Sequence, residues 1–193
     1  MSQKPRVYLT GASCSGVSTL GGALSQRFNV PQIDVDDYYW MPTDPPFSAK
    51  RPPEERVRLI QDRQDTRAGW VLTGSFIGWG DALIQDVDLI VFLHTPTHMR
   101  LQRLDQREAA RHGPRILPGG DMYEAHMAFR DWASRYDDPG FSGRNIAQHQ
   151  NWLSKQSAPV LRLNGERKTE DLARQVEGGL MGHYDLDGPQ TVR

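Results

Sequence analysis

The chain has 193 residues, 24% of them charged and 37% hydrophobic, with a formal net charge of −1. That suits one α/β domain with a sizeable core, and argues against a global electrostatic grip on nucleic acid or an anionic membrane. The lone cysteine, Cys14, excludes an internal disulfide, Met1 to Thr10 lack the apolar core of a signal peptide, and no run approaches ~20 apolar residues, so a cytoplasmic protein is expected.

Val7 to Thr10 is a short β-prone run, followed at once by a Gly/Ser-rich turn, Gly11 to Gly16. From Ser18 to Phe28 the apolar residues Leu20, Ala23, Leu24 and Phe28 recur at spacings of three and four, which predicts a helix. Gln32 to Val35 reads as a second strand, and Asp37 to Pro53, rich in proline and aromatics, as irregular. Pro52-Pro53-Glu54-Glu55 carries the proline and acids of a helix start, predicting a helix to about Thr66. Trp70 to Thr73 and Leu89 to Leu93 are further strands, the second almost wholly apolar, as for a buried parallel strand. Helices are predicted over Thr97 to Arg111 and Asp121 to Tyr136, the latter opened by an Asp121/Glu124 capping box. Pro159 to Leu163 is a fifth strand, Thr169 to Leu180 a closing helix, and 181–193 a tail expected to fray. Strands alternating with helices imply a parallel sheet covered on both faces, with ligands beyond the carboxyl ends of its strands.

Gly11-Ala12-Ser13-Cys14-Ser15-Gly16-Val17-Ser18-Thr19 has the Walker A spacing of two glycines followed by a hydroxyl residue. Such a loop wraps backbone N–H groups around a phosphate while the next helix points its positive end at it. Gly11, Ser13, Ser15, Gly16, Val17, Ser18 and Thr19 are therefore the candidate nucleotide-binding residues, with Ser18 placed to hold Mg²⁺. Val17 stands where this loop carries a lysine, so the cradle survives but its cation does not. The bland alternative is a strand-to-helix turn of small residues. For Cys14, a redox role competes with that of a small filler.

After the second strand come Asp34, Asp36 and Asp37, then Tyr38, Tyr39 and Trp40. Asp34 and Asp36 would project to one side of an extended segment, able to hold Mg²⁺ or accept a proton from an attacking hydroxyl. They can equally cap a turn, and the aromatics can form a stacking wall or pack a core. Arg100, Arg103, Arg107 and Arg111 recur at spacings of three, four and four, hence on one helix face. A solvated basic stripe is the ordinary explanation, and a phosphate clamp replacing the missing lysine the sharper one.

The string Thr10 to Leu20 resembles the loop of adenylate kinase-like P-loop proteins, and more narrowly that of a bacterial subgroup lacking the loop lysine. Asp36-Asp37-Tyr38-Tyr39-Trp40-Met41-Pro42-Thr43-Asp44-Pro45-Pro46-Phe47, Gly74 to Asp81 and Pro118 to Met122 carry the same resemblance, over about residues 6 to 180. It implies a three-layer α/β P-loop NTPase with a five-stranded parallel sheet, a single domain over 1–180. An acceptor-binding insert would fall at 37–68 and a lid at 112–121. It also implies that Asn164 and Gly165 lie near an adenine, and that Arg103 and Arg107 are lid-hinge arginines. Lys50, Arg51 and Arg56 would hold an acceptor's anionic group, whereas a neutral acceptor would lean on Asp37, Tyr38 and their neighbours.

The function expected on these grounds is ATP- and Mg²⁺-dependent phosphotransfer to a nucleotide, nucleoside or other small acceptor. Asp36 and Asp34 would then be catalytic with Arg103 and Arg107, and Ser18 with Asp36 would hold the metal. A nucleotide sensor without turnover and a weak NTPase are the alternatives. No nucleic-acid or membrane partner is expected.

Overall fold

The computed structural model describes residues 4–64 and 69–183. They fall into two compact units: one of residues 4–11, 16–64, 69–94 and 156–183, the other of 12–15 and 95–155. The ends of the expected insert and of the second expected helix (65–68), and most of the expected tail, lie outside the described residues.

The first unit holds the whole sheet. Its strands are β1 (Arg6–Gly11), β2 (Gln32–Asp34), β3 (Trp70–Thr73), β4 (Leu89–His94) and β5 (Val160–Asn164). They lie in the order β2-β3-β1-β4-β5, and every pairing is parallel. The register aligns Leu9 with Thr73 and Val91, Gly11 with Leu93, and His94 with Asn164. Gly11, Asp34, His94 and Asn164 are thereby brought to one edge, the carboxyl ends of their strands. Strands β1, β3 and β4 are nearly continuous apolar runs because parallel strands are buried on both faces.

Helices α1 (Val17–Phe28) and α7 (Thr169–Leu180) belong to this unit. Val17, Leu20 and Leu24 of α1 and Leu172, Ala173 and Val176 of α7 join Val7, Leu9, Val71, Val91 and Leu161 in one core cluster. Arg27 near the end of α1 bridges the two helices, bonding Glu170 and Glu177, each at 2.8 Å. Asn29 ends α1 in the left-handed conformation at φ 51°, a turn asparagine tolerates better than most residues.

Gly21 lets α1 lie close against the sheet: a Cβ there would stand 2.2 Å from Thr73 Cγ2 and 2.8 Å from Gln32 Nε2. Gly21→Ala is therefore expected to cost about 1–3 kcal/mol through overpacking. In a thermal melt that corresponds to a fall of roughly 2–4 °C per kcal/mol. An unchanged midpoint would show that the helix shifts freely.

The short helix α2 (Val35–Tyr39) and helix α3 (Pro53–Gln64) complete this unit's helices. The strand expected over Gln32 to Val35 thus stops one residue short, at Asp34, where α2 takes over. Asp34 ends β2 and its side chain accepts from the backbone N–H of Asp36, capping α2, so Asp34 and Asp36 do not alternate along a strand. Nor is 37–53 wholly irregular: α2 occupies its start, and Trp40 and Lys50 then pair as an antiparallel bridge.

The second unit contains α4 (Thr97–His112), α5 (Tyr123–Ser134) and α6 (Ile146–Leu153). The helix over Ile146–Leu153 was not expected. It is capped by Asn145, whose side chain accepts from Gln148 N–H, and it buries His149, Trp152 and Leu153. The expected Asp121/Glu124 capping box is absent, because α5 begins only at Tyr123 and Met122 precedes it without a side-chain cap. Asp121 turns instead to Arg115, accepting from its Nε at 3.0 Å and its Nη2 at 2.6 Å. Among the described residues, the α/β architecture of five parallel strands and seven helices agrees with the expected fold class. Among the described residues no helix is long and apolar enough to cross a membrane.

Candidate phosphate and acceptor site

The glycine-rich loop leaves β1 at Gly11 and enters α1 at Val17. Cys14 sits at φ 61° and Gly16 at φ 103°, with no positive φ at Ser15 between them. The Ser15 N–H closes the turn onto the Ala12 carbonyl at 3.1 Å, so the amides open to an anion are those of the first turn of α1, which lack intrahelical partners. The first turn of α1 carries no acid and Gly16 provides no side-chain cap, leaving the helix's positive end uncompensated by its own sequence. The Val17 side chain is 8% exposed and packs in the core, so that position presents no polar group.

In the first unit, the Ser18 hydroxyl donates to Asp34 Oδ2 at 2.6 Å, and Asp36 N–H donates to Asp34 Oδ1 at 3.1 Å. One carboxylate thus joins the start of α1 to the start of α2. Ser18 and Thr19 are exposed beside it. Asp36, rather than pairing with Ser18, lines a groove of about 280 Å³ with Asp37, Trp40, Met41, Pro42, Thr43, Pro46, Phe47 and Arg51. Trp40 and Phe47 meet edge to face there, with centroids 5.8 Å apart.

Partial burial, and secondarily the charge of Asp34, raises the Asp37 pKa above the ordinary carboxylate value. The folded chain therefore holds that proton more tightly than the unfolded one. The stability this contributes is present at acid pH and lost as pH rises through the raised pKa. Asp37→Asn is expected to remove that loss, so melts between pH 4 and pH 7 should favour the variant increasingly as pH rises. A constant offset would show no linkage.

The expected acceptor cations differ in surroundings. Arg51 donates to Glu55 at 3.1 Å, and its buried Nε has no hydrogen-bond partner among the described residues. Lys50 is exposed, its Nζ 5.8 Å from the Tyr39 ring centroid and 5.9 Å from that of Trp40. Arg56 is buried, stacked 3.9 Å over the Tyr39 ring and donating from Nε to the Arg51 carbonyl at 2.7 Å, so it braces the insert. Tyr38 is half-buried in α2. At the far side of the sheet edge, the Asn164 side chain accepts from Glu166 N–H, and Gly165 N–H donates to the His94 carbonyl at 2.7 Å.

In the second unit the arginines of α4 separate into different roles. Arg100 is 1% exposed; it donates to the carbonyls of Thr95 and Ala133, each at 3.0 Å, and to Thr97 Oγ1 at 2.6 Å, and pairs with Asp137 at 3.3 Å. The even stripe expected from spacing is thus broken: its first arginine is an internal strut. Arg103 donates to the Ser15 carbonyl at 3.0 Å, Arg107 pairs with Glu108 at 2.9 Å, and Arg111 is exposed. Thr95 Oγ1 donates to the same Ser15 carbonyl at 2.8 Å. Ser15 Oγ is buried with no partner among the described residues. Arg144, which spacing did not single out, donates to Ser13 Oγ at 3.1 Å.

Burial raises the Cys14 thiol pKa, an effect opposed by the nearby Arg107 charge. That favours the filler role over a reactive thiolate. The expected lid, 112–121, is a tight turn: a short 3₁₀ segment (Gly113–Ile116), then the Arg115–Asp121 clasp, with Met122 N–H donating to the Arg115 carbonyl at 2.9 Å.

Among the described residues no cluster of three or more His, Cys, Asp or Glu is arranged to hold a metal. Ser18 with Asp34 nonetheless suits Mg²⁺, which takes one or two protein ligands and completes its octahedron with water and substrate phosphates.

No protein-family model matches the chain. Solved structures similar to it include a sugar kinase from Janibacter sp. HTCC2649 (TM-score 0.55, 13% identity, covering 93% of this chain and 95% of that one). A gluconokinase from Sinorhizobium meliloti 1021 gives TM-score 0.54 at 16% identity, covering 95% of each chain. A shikimate kinase from Bacteroides thetaiotaomicron gives 0.52 at 18%, covering 92% of this chain and 98% of that one. At these identities the likeness is one of fold, the P-loop kinase fold. The "Uncharacterized protein YqaC" of Bacillus subtilis (strain 168) is 40% identical over 173 residues, spanning 90% of this chain and 96% of that protein. With that identity over nearly the full length of both, the chain belongs to the YqaC family.

Proposed function

We propose that this protein is an ATP- and Mg²⁺-dependent phosphotransferase acting on a nucleotide, nucleoside or other small hydroxyl-bearing acceptor. The observation that carries the reading is the 2.6 Å bond from Ser18 to Asp34, which sets a hydroxyl and a carboxylate where the glycine-rich loop enters its helix. Asp34 also caps α2, but that cap does not call for a hydroxyl donated to its second oxygen from the start of α1.

The loop amides and the start of α1 would hold the terminal phosphates. Ser18 and Asp34, more than Asp36, would hold Mg²⁺, which when bound neutralises phosphate charge. The groove between Asp36 and Arg51 would take the acceptor, its ring face against Trp40 and Phe47 and an anionic group, where present, on Arg51. Asp36 would accept the acceptor's hydroxyl proton as its oxygen bonds to the γ-phosphorus. The bond from that phosphorus to the β–γ bridging oxygen breaks, and ADP leaves. Arg103 and Arg107 would help neutralise the transferring group, Asn164 and Gly165 would border the adenine, and 112–121 would close as a lid. The fold is that of a sugar kinase and a gluconokinase, which favours transfer as the class of reaction.

The buried Val17 favours a second reading, binding without transfer or with slow hydrolysis, because it leaves the loop short of a cation. Incubation with γ-labelled ATP, Mg²⁺ and a panel of sugars, hydroxy acids, nucleosides and monophosphates separates the two. Label in an acceptor supports transfer. Release only as inorganic phosphate, or retention in ATP, contradicts it.

A further inference from the structure

The loop's charge deficit has a specific cause. The Val17 side chain is part of the apolar cluster with Leu20 and Leu24, so no cation can issue from that position without leaving the core. A phosphate bound to the loop needs positive charge from elsewhere in the chain. Of the arginine stripe, Arg100 is fully engaged inside its own unit, and Arg107 is paired with Glu108. Arg103 reaches the loop, but it does so by gripping the Ser15 carbonyl, which fixes the loop's shape.

Arg144 has a different geometry. Its Nη2 lies 3.1 Å from Ser13 Oγ, a loop hydroxyl that can accept from the guanidinium while donating to an anion. The guanidinium carbon lies 5.2 Å from the Trp132 ring centroid, an aromatic platform that orients the fork. The backbone beside it is pinned as well. Asn145 is 2% exposed, donates to the Phe141 carbonyl at 2.6 Å and caps α6 through Gln148 N–H at 2.9 Å. A permanently charged, planar donor set is thus held at the loop by a ring on one flank and a capped helix on the other. That is a preorganised phosphate ligand.

We propose that Arg144 is the phosphate-binding cation of this loop, in place of the lysine that Val17 does not supply. The assignment rests on the nucleotide reading above and deepens it. The guanidinium contacts the β- and γ-phosphate oxygens and leaves the nucleoside untouched, so its loss is felt in proportion to the phosphates present.

The test is calorimetric titration of the full chain with MgATP and, separately, with adenosine. Arg144→Gln is expected to weaken MgATP by roughly 10- to 100-fold, as for loss of hydrogen bonds to a charged group. Adenosine affinity should stay within about twofold, and Arg144→Lys should fall between wild type and Arg144→Gln. Should Arg144→Gln not fold, Arg144→Met keeps the apolar stem on Trp132 and removes the charge, with the same expected pattern. MgATP affinity unchanged in a folded charge-free variant would overturn the assignment, as would equal losses for MgATP and adenosine. Wild-type chain that binds neither ligand would sink the nucleotide reading itself, a result distinct from either.

Discussion

Asp34→Asn is expected to lower MgATP-dependent transfer by roughly 100-fold while leaving the fold intact. Asparagine keeps an oxygen for the Asp36 N–H, so the cap that starts α2 survives. It loses the negative charge facing Ser18, where the bond is 2.6 Å. A group that ligates or orients a metal ligand typically commands 10- to 100-fold in metal affinity or activity. The loss should therefore appear as a raised Mg²⁺ requirement, partly recovered at high Mg²⁺, with a melting midpoint close to wild type. Asp36→Asn, by contrast, should depress kcat at saturating Mg²⁺, because Asp36 lines the groove rather than meeting Ser18. Identical Mg²⁺ profiles for the two variants would contradict this division of roles.

Arg100→Met should have the largest effect on stability, about 2–6 kcal/mol, from two buried carbonyls left without their donor. Met fills similar space, but it leaves the buried carbonyls of Thr95 and Ala133 without this donor and removes one partner of the exposed Asp137. Thr97 loses its Arg100 donor but keeps its own bond to Asp137. For a chain of this size the midpoint should fall by roughly 2–4 °C per kcal/mol. The folded fraction should still bind nucleotide, since Arg100 is internal to its unit. A midpoint within 1 °C of wild type would show that the network carries no net stability.

How much of this was readable beforehand differs by element. Trp70–Thr73 and Thr169–Leu180 match their expected bounds because an unbroken apolar run and a regular amphipathic period are local signals. The helix Ile146–Leu153 was missed because it spans only eight residues and its buried face includes His149, which reads as polar. Its burial depends on the Tyr136 hydroxyl, 2.8 Å from His149 Nδ1. Asn145 was the one local hint, as a cap residue before an apolar pair. The acidic run was legible as a site but not in its conformation: Asp34 can end a strand or cap a helix, and the choice was made by α2. Arg100 and Arg103 share a helix and a residue type, yet one is a strut and the other grips the loop. Helical spacing carries face but not partner. Arg144 was invisible for the plainest reason, lying alone in a Gly- and Pro-punctuated stretch and meeting Ser13 across 131 residues of chain.

The most direct measurement is an amide ¹⁵N–¹H titration of the labelled protein with MgATP. The loop amides at Gly16, Ser18 and Thr19 are expected to show the largest shifts, saturating together with one affinity. A spectrum that stays still at millimolar MgATP, or shifts confined to residues away from Gly11–Thr19, would contradict the assignment of that crossover as the phosphate site.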